Sequence, residues 1–254
     1  FAHPQYLHVL FGLSHQIVFI FGVKPVQKNR ALTNRIINMQ GIPSNNEPPI
    51  NSLYWNLWKM GLTPLNQMQN TRFYAALQSN TYNSTAIYTY TLNDFYLVYT
   101  IRNRVEEAQV IANKSPHPSL QYALVSLNTE LKKRMSDYET VWHLQEGIWA
   151  PMTVIVDYEK FMFQTLQDKG VFYFLCTVLA RLTVWGIIPG IVSPTNAGYT
   201  TWLNWKNSQT LSYAIGNQMD DYANDNPNSF NIHTALDLYG NSMNYEANLM
   251  AEVL

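Results

Sequence analysis

The sequence predicts a mainly α fold: a large helical domain with long ordered loops and at most a minor β-hairpin or strand. Three observations predict it. Apolar residues recur at spacings of three and four along most of the chain, Gly and Pro punctuate those stretches where helices should stop and start, and no period of twenty to fifty residues repeats. With 254 residues the chain lies near the upper size for one hydrophobic core. A single domain over 1–254 is expected, with 42–51 as the best internal boundary.

Pro4 to Phe21 is apolar and closes at Gly22 and Pro25, which suits a buried helix; a second helix is expected from Gln27 to Gln40, ending at Gly41. Ile42 to Asn51, with Asn45-Asn46-Glu47-Pro48-Pro49, is a loop. Short helices are expected over Ser52 to Met60 and Pro64 to Gln78. Ile87 to Leu92 alternates β-branched or polar residues with aromatics and is expected to form a strand. Asn93 or Asp94 should then cap a helix to about Asn113 with Phe95, Val98, Arg102, Val105 and Ala108 at spacings of three and four, although Arg102 interrupts the apolar stripe. After the turn at Ser115 to Ser119, Leu120, Leu124, Leu127, Leu131, Tyr138 and Trp142 predict a long helix up to Gly147. Pro151 opens another, which Gly170 should end. Val171 to Trp185 is apolar on every side except for Arg181 and the Thr residues, so it is either the central core helix or a membrane span. Ile187 to Tyr199 is expected to be an irregular loop, followed by helices over Thr200 to Tyr222, Asn231 to Tyr239 and Asn244 to Val253.

Composition narrows function. Charged residues are 13% of the chain, about half the usual share, while aromatics reach 14%. Asn, Gln, Ser, Thr and Tyr must therefore cover much of the surface. Such groups are cheaper to desolvate than charges, which suits faces covered by other subunits. A formal net charge of −1 argues against a strong grip on nucleic acid. The densest basic cluster, Lys132-Lys133-Arg134, is expected on a solvated helix face. The one cysteine, Cys176, excludes internal disulfides and multi-Cys zinc sites; its apolar setting predicts a buried small hydrophobe. Sequons at Asn83 and Asn113 are readily supplied by chance in an Asn- and Ser-rich chain, and the opening Phe1 indicates a processed product or the ordered part of a longer chain.

Chemistry-bearing patterns are sparse. Glu139, His143 and Glu146 share one helix face if the long helix runs to Gly147, with Asp157, Glu159, Asp220 and Asp221 as potential partners. The order His-x-x-Glu is the reverse of the di-iron motif, and a polar stripe is the simpler reading. His3, His8 and His15 offer a haem ligand only in principle, and His233 with Asp237 suits a helix-face hydrogen bond. Asp220 to Asn228 lacks the Gly and Glu of an EF-hand loop. No Gly-x-Ser-x-Gly, Walker or dinucleotide glycine pattern occurs. Catalytic, cofactor-binding and metal-ligating residues are accordingly expected to be none, and the protein is expected not to be an enzyme. Val171 to Val192 and Pro4 to Val23 approach membrane-spanning length, but Arg181 lies mid-span in the first and His15 with Gln16 in the second, so a core helix is preferred.

Three function classes remain: a coat or shell subunit, a helical subunit of a membrane-associated or organellar complex, and a helical metal or haem enzyme. In its low charge, its Tyr- and Trp-rich helices and loops such as Ile187 to Tyr199, the chain resembles the helical coat proteins of small double-stranded RNA viruses such as partitiviruses. That resemblance implies a capsid built from copies of this chain, enclosing RNA through weak contacts, in the virion or host cytoplasm, with no cofactor. The candidate assembly contacts are Ile50, Ile87, Tyr88, Tyr90, Ile191, Val192 and Tyr199. The near-neutral charge departs from coat proteins that condense genomes through basic arms.

Overall fold

The computed structural model describes residues 47–79, 84–145, 147, 150–192 and 197–254, and the described residues are mainly α, without strands. The expected helices over Pro4 to Phe21 and Gln27 to Gln40, and His3, His8 and His15, lie outside them. The elements are α1 (Leu53–Met60), α2 (Leu62–Gln69), α3 (Arg72–Ser79), α4 (Ser84–Lys114), α5 (Pro118–Thr140), α6 (Thr153–Lys169), α7 (Val171–Ile191), α8 (Ala197–Lys206), α9 (Gln209–Asp225) and α10 (Ile232–Glu252).

The bundle is built around α7. Its neighbours include α10, α9, α6, α8 and α4, while α4 and α5 form a long antiparallel hairpin at the side. Phe174, Leu175, Cys176, Leu179, Ala180 and Val184 are fully enclosed, so α7 is hydrophobic all round because protein surrounds it. Gly170 joins α6 to α7 at φ 88°, a left-handed conformation that only glycine adopts without strain, and so the sequence stops one helix and starts the next there.

Several boundaries differ from the sequence reading. The expected strand at Ile87 to Leu92 lies inside α4, because Ala86, Tyr90, Asp94, Val98, Ile101, Val105, Ala108 and Ala112 are buried at intervals of three and four. A continuous apolar helix face outweighs six residues of strand-like alternation. Asn93 lies inside α4 instead of capping it, and its Oδ1 accepts from the Met152 N–H at 2.8 Å, just before α6. The long helix α5 ends at Thr140, short of Gly147, and the region 64–78 divides into α2 and α3. The stretch expected as two C-terminal helices is one, running through Gly240.

The expected loop from Ile187 to Tyr199 is largely helical. α7 continues through Pro189 to Ile191 and α8 begins at Ala197. Proline lacks the N–H that would bond the carbonyl four residues back, here that of Trp185. That carbonyl instead accepts from the Ser208 N–H at 3.3 Å, so the helix tolerates Pro189 by attaching the α8–α9 joint to its side. The Ser208 hydroxyl adds a bond of 2.8 Å to the Leu182 carbonyl.

Two glycines test the packing. A Cβ on Gly216 of α9 would lie 2.5 Å from Cδ2 of the buried Tyr54, whereas a Cβ on Gly240 meets nothing within 4 Å. Gly216→Ala is therefore expected to destabilise by about 1–3 kcal/mol through overpacking, and Gly240→Ala to stabilise by about 0.5–1 kcal/mol through helix propensity. Urea unfolding of both variants checks the pair; equal effects would show that α1 and α9 are not in close register.

Candidate functional site

Four ionisable side chains meet inside the bundle, each from a different helix. Asp94 comes from α4, Arg181 from α7, Lys206 from the last position of α8 and Glu246 from α10; their exposures are 1%, 5%, 1% and 0%. Arg181 bridges the acids: Nη1 donates to Glu246 Oε1 at 2.6 Å and Nη2 pairs with Asp94 Oδ1. The other Asp94 oxygen receives Lys206 Nζ and the Tyr138 hydroxyl of α5. Charges of this kind survive away from water only when paired and hydrogen-bonded, and here two cations face two carboxyls.

Aromatic rings enclose the cationic side. Lys206 Nζ lies 4.4 Å from the Trp185 ring centre and 5.4 Å from that of Tyr90. Trp202 closes the group, 5.6 Å from Trp185 and 6.1 Å from Tyr90, and Phe73 stacks on Tyr90 at 5.0 Å. Ring faces attract the ammonium group, but they do not replace water. Burial lowers the Lys206 pKa, and the nearby Arg181 and Arg134 guanidiniums add to the effect; Asp94 opposes them, leaving a value of about 7. Burial likewise raises Glu246, against the pull of Arg181. Burial works to lower Arg181, but Glu246 and Tyr90 outweigh it and hold the guanidinium charged.

Among the described residues, Glu246 Oε2 and the indole N–H of Trp202 have no hydrogen-bond partner. The void beside Arg134, Arg181, Trp185, Lys206 and Ser208 measures only about 20 Å³, room on the order of a single water. A second polar chain runs next to it: Tyr54 OH and Ser212 Oγ lie 2.9 Å apart, with the Thr183 hydroxyl 3.5 Å from Ser212. Cys176 is buried as expected, and burial pushes its thiol pKa well up, so no reactive thiolate forms there.

The fold has known counterparts. A TenA family transcription regulator from Silicibacter sp. superposes with a TM-score of 0.70 at 14% identity, covering 81% of this chain and 97% of that one. A TenA homologue protein from P. horikoshii gives 0.63 at 14% identity, covering 80% and 98%. The chain has a TenA-like fold. No family model and no curated protein sequence matches it. The TenA-like fold overturns the resemblance to partitivirus coat proteins, and with it the expected capsid function and the virion or host-cytoplasm location, because the chains it superposes on are cellular proteins. Low charge and abundant aromatics misled that reading. In the bundle Trp185, Trp202, Tyr90 and Tyr138 line the interior around buried charges. The alternative of an organellar membrane-complex subunit gains no support either. α7 is long and apolar enough to cross a membrane, yet it lies at the bundle centre with Arg181 paired to two acids.

The candidate assembly residues are scattered. Ile50 is 73% exposed and Tyr88 44%, Ile87 is half-buried, and Tyr90 and Val192 are enclosed by their own subunit. The side chains of Ile191 and Tyr199 lie outside the described residues. Glu139 and His143 do not share a helix face, because α5 stops at Thr140 and His143 turns to φ 53°; both are exposed, and Glu146 is outside the described residues. Glu159 pairs with Arg104 at 2.9 Å, and Asp220 Oδ1 accepts from the Leu53 N–H at 2.7 Å at the start of α1. Among the described residues no group of three His, Cys, Asp or Glu could hold a metal ion. Arg134, assigned to a solvated face with its Lys neighbours, is buried and bonds Glu130 at 3.1 Å. Asp94, Glu246 and Lys206 were missed as site residues. Arg181 was the signal, since a charge in an apolar helix demands an acid elsewhere, and Asp94 falls one turn after buried Tyr90.

Removing only the bridging cation should be costly. Arg181→Met is expected to lower stability by about 3–5 kcal/mol, since Glu246 loses its one bonded partner among the described residues. Adding Glu246→Leu should recover most of that loss, because Asp94 keeps Lys206 and Tyr138. Urea unfolding of both variants measures the difference, and a double variant no more stable than Arg181→Met would show that the carboxyl was not left uncompensated.

Proposed function

We propose that this chain is a non-catalytic regulatory protein that uses a TenA-like bundle and acts through contacts of its outer faces, as a homo-oligomer. The observation that carries the reading is that Asp94 and Glu246, the two buried acids among the described residues, are both occupied by the chain's own cations. Acids tied to Arg and Lys are poor general bases, and the buried thiol is a poor nucleophile. The Silicibacter protein is described as a transcription regulator, which agrees with a regulatory role. A net charge of −1 directs that role here to protein partners rather than to nucleic-acid phosphates.

Self-association is supported by exposed apolar residues on the α4–α5 hairpin. The bonds from Asn128 to Gln109 and from Gln121 to Asn113, each 3.1 Å, set the register of the two helices. They bring Val110, 60% exposed, level with Val125 at 56%, and Tyr122 at 59% follows one turn away. A cluster of this kind suits an interface core. Sedimentation at micromolar concentration is expected to give an oligomer, and Tyr122→Asp with Val125→Asp to give monomers with unchanged helical circular dichroism. A monomeric wild type would remove the self-association half of the proposal.

Glu246 Oε2 and Trp202 Nε1, unpartnered among the described residues, favour a second reading, a site for a small polar molecule. A thermal-shift screen with small amines, carboxylates and nitrogen heterocycles separates the two. The non-catalytic reading expects no compound to raise the melting temperature of the wild type selectively over Glu246→Gln. A selective compound would overturn it, since a ligand at one hundred times its dissociation constant adds about 2.7 kcal/mol.

A further inference from the structure

We infer that the bundle interior holds an amine-binding site, built for a primary ammonium group at the end of an alkyl chain, whose ligand is the chain's own Lys206; this rests on the non-catalytic reading, in which internal cations hold the buried acids. The contacts of Lys206 Nζ are those of a bound cation. It binds Asp94 and lies 4.4, 5.4 and 5.8 Å from the ring centres of Trp185, Tyr90 and Trp205. A carboxylate on one side with ring faces on the others is a general means of recognising organic cations. The carboxylate adds a requirement for an N–H donor, which a primary ammonium has and a quaternary one lacks.

The host is held together without its guest. Asp94 belongs to α4, and its two oxygens are oriented by Arg181 of α7 and by the Tyr138 hydroxyl of α5. Trp185 is on α7, while Tyr90 is on α4 and is braced by the stacked ring of Phe73 from α3 at 5.0 Å. None of these contacts involves α8, the helix that ends in Lys206. Replacing the lysine side chain therefore removes a guest and leaves its acceptor and two of its rings in place.

The tether is anchored separately from the group it delivers. Next to Lys206, the Ser208 N–H and hydroxyl bond the carbonyls of Trp185 and Leu182, and Arg134 Nη2 reaches the Lys206 carbonyl at 3.5 Å. Shortening the side chain thus leaves the backbone fixed and enlarges the void of about 20 Å³ that Lys206 lines. The guanidiniums of Arg181 and Arg134 oppose the charge of the guest, so a free amine binds weakly. A tether compensates by presenting its amine at an effective concentration on the order of millimolar or higher. The intact chain accordingly blocks its own site against outside amines.

Thermal melting of the full chain as wild type, Lys206→Ala and Lys206→Met tests this. In Lys206→Ala, propylammonium at about 0.1 M is expected to raise the melting temperature by about 2–4 °C, because it replaces the atoms that were removed. Equal concentrations of tetramethylammonium, propanol or sodium chloride should leave it level. The wild type and Lys206→Met, in which the space is filled, should respond to none of them. A Lys206→Ala variant that ignores propylammonium, or responds equally to the controls, overturns the proposal and leaves the non-catalytic reading standing. A wild type that responds as strongly as Lys206→Ala has an unfilled site, which overturns the proposal and counts against that reading as well. Should Lys206→Ala not fold unaided, refolding with each compound replaces melting: soluble helical protein returning with propylammonium alone supports the proposal, and its return with none of them, or with all, overturns it.

Discussion

The bridge from Arg181 to Asp94 and Glu246 is the constraint on which the rest of this structure depends. A guanidinium in the centre of an apolar helix cannot remain without acceptors, and its fork geometry reaches two carboxylates at once. Those carboxylates belong to α4 and α10, so one side chain sets the rotation of three helices about their axes. Turning α4 by a single residue would carry Asp94 about 100° away and drive Tyr90 and Val98 out of the core with it. The rotational settings of the helices are thus coupled through charge as well as through packing.

A second consequence follows for α8. Lys206 fills the remaining oxygen of Asp94, so the short helix is placed by the same carboxylate that receives Arg181. The freed carbonyl before Pro189 holds the next residues through Ser208. Hydrophobic burial alone would permit α8 several positions on the aromatic surface of α7. The ammonium and the Ser208 bonds select one, which is the specificity role that buried polar groups can serve at some cost in stability.

Much of the helix layout was legible in the sequence, because three-and-four spacing and Gly stops report directly on backbone geometry. The helix expected from Pro151 to Gly170 and the buried setting of Val171 to Trp185 were read from such signals, and Gly170 supplied a conformation that few other residues reach. The failures have different causes. At Ile87 to Leu92 six residues of strand-like alternation were outweighed by the longer helical spacing of which Tyr90 and Asp94 are part. Around Pro189 a local preference was outweighed by a contact distant in sequence, Ser208 against the Trp185 carbonyl, which no window of neighbouring residues contains.

The site was half legible for a related reason. Arg181 announced itself, since a lone cation in an apolar stretch requires a partner, but seventeen acidic residues were available to provide it. Choosing Asp94 required knowing that α4 begins at Ser84, which places Asp94 on the buried face instead of at a helix cap. Choosing Glu246 required that α10 run unbroken through Gly240, so that Ser242 and Glu246 follow Tyr239 on one face. Each acid was hidden by a misplaced helix boundary, and an error of a few residues in secondary structure therefore became an error about chemistry. Surface appearance compounded it. Rings that suggested subunit contacts in the sequence are needed inside, where Trp185, Tyr90 and Trp202 shield an ammonium that water no longer reaches.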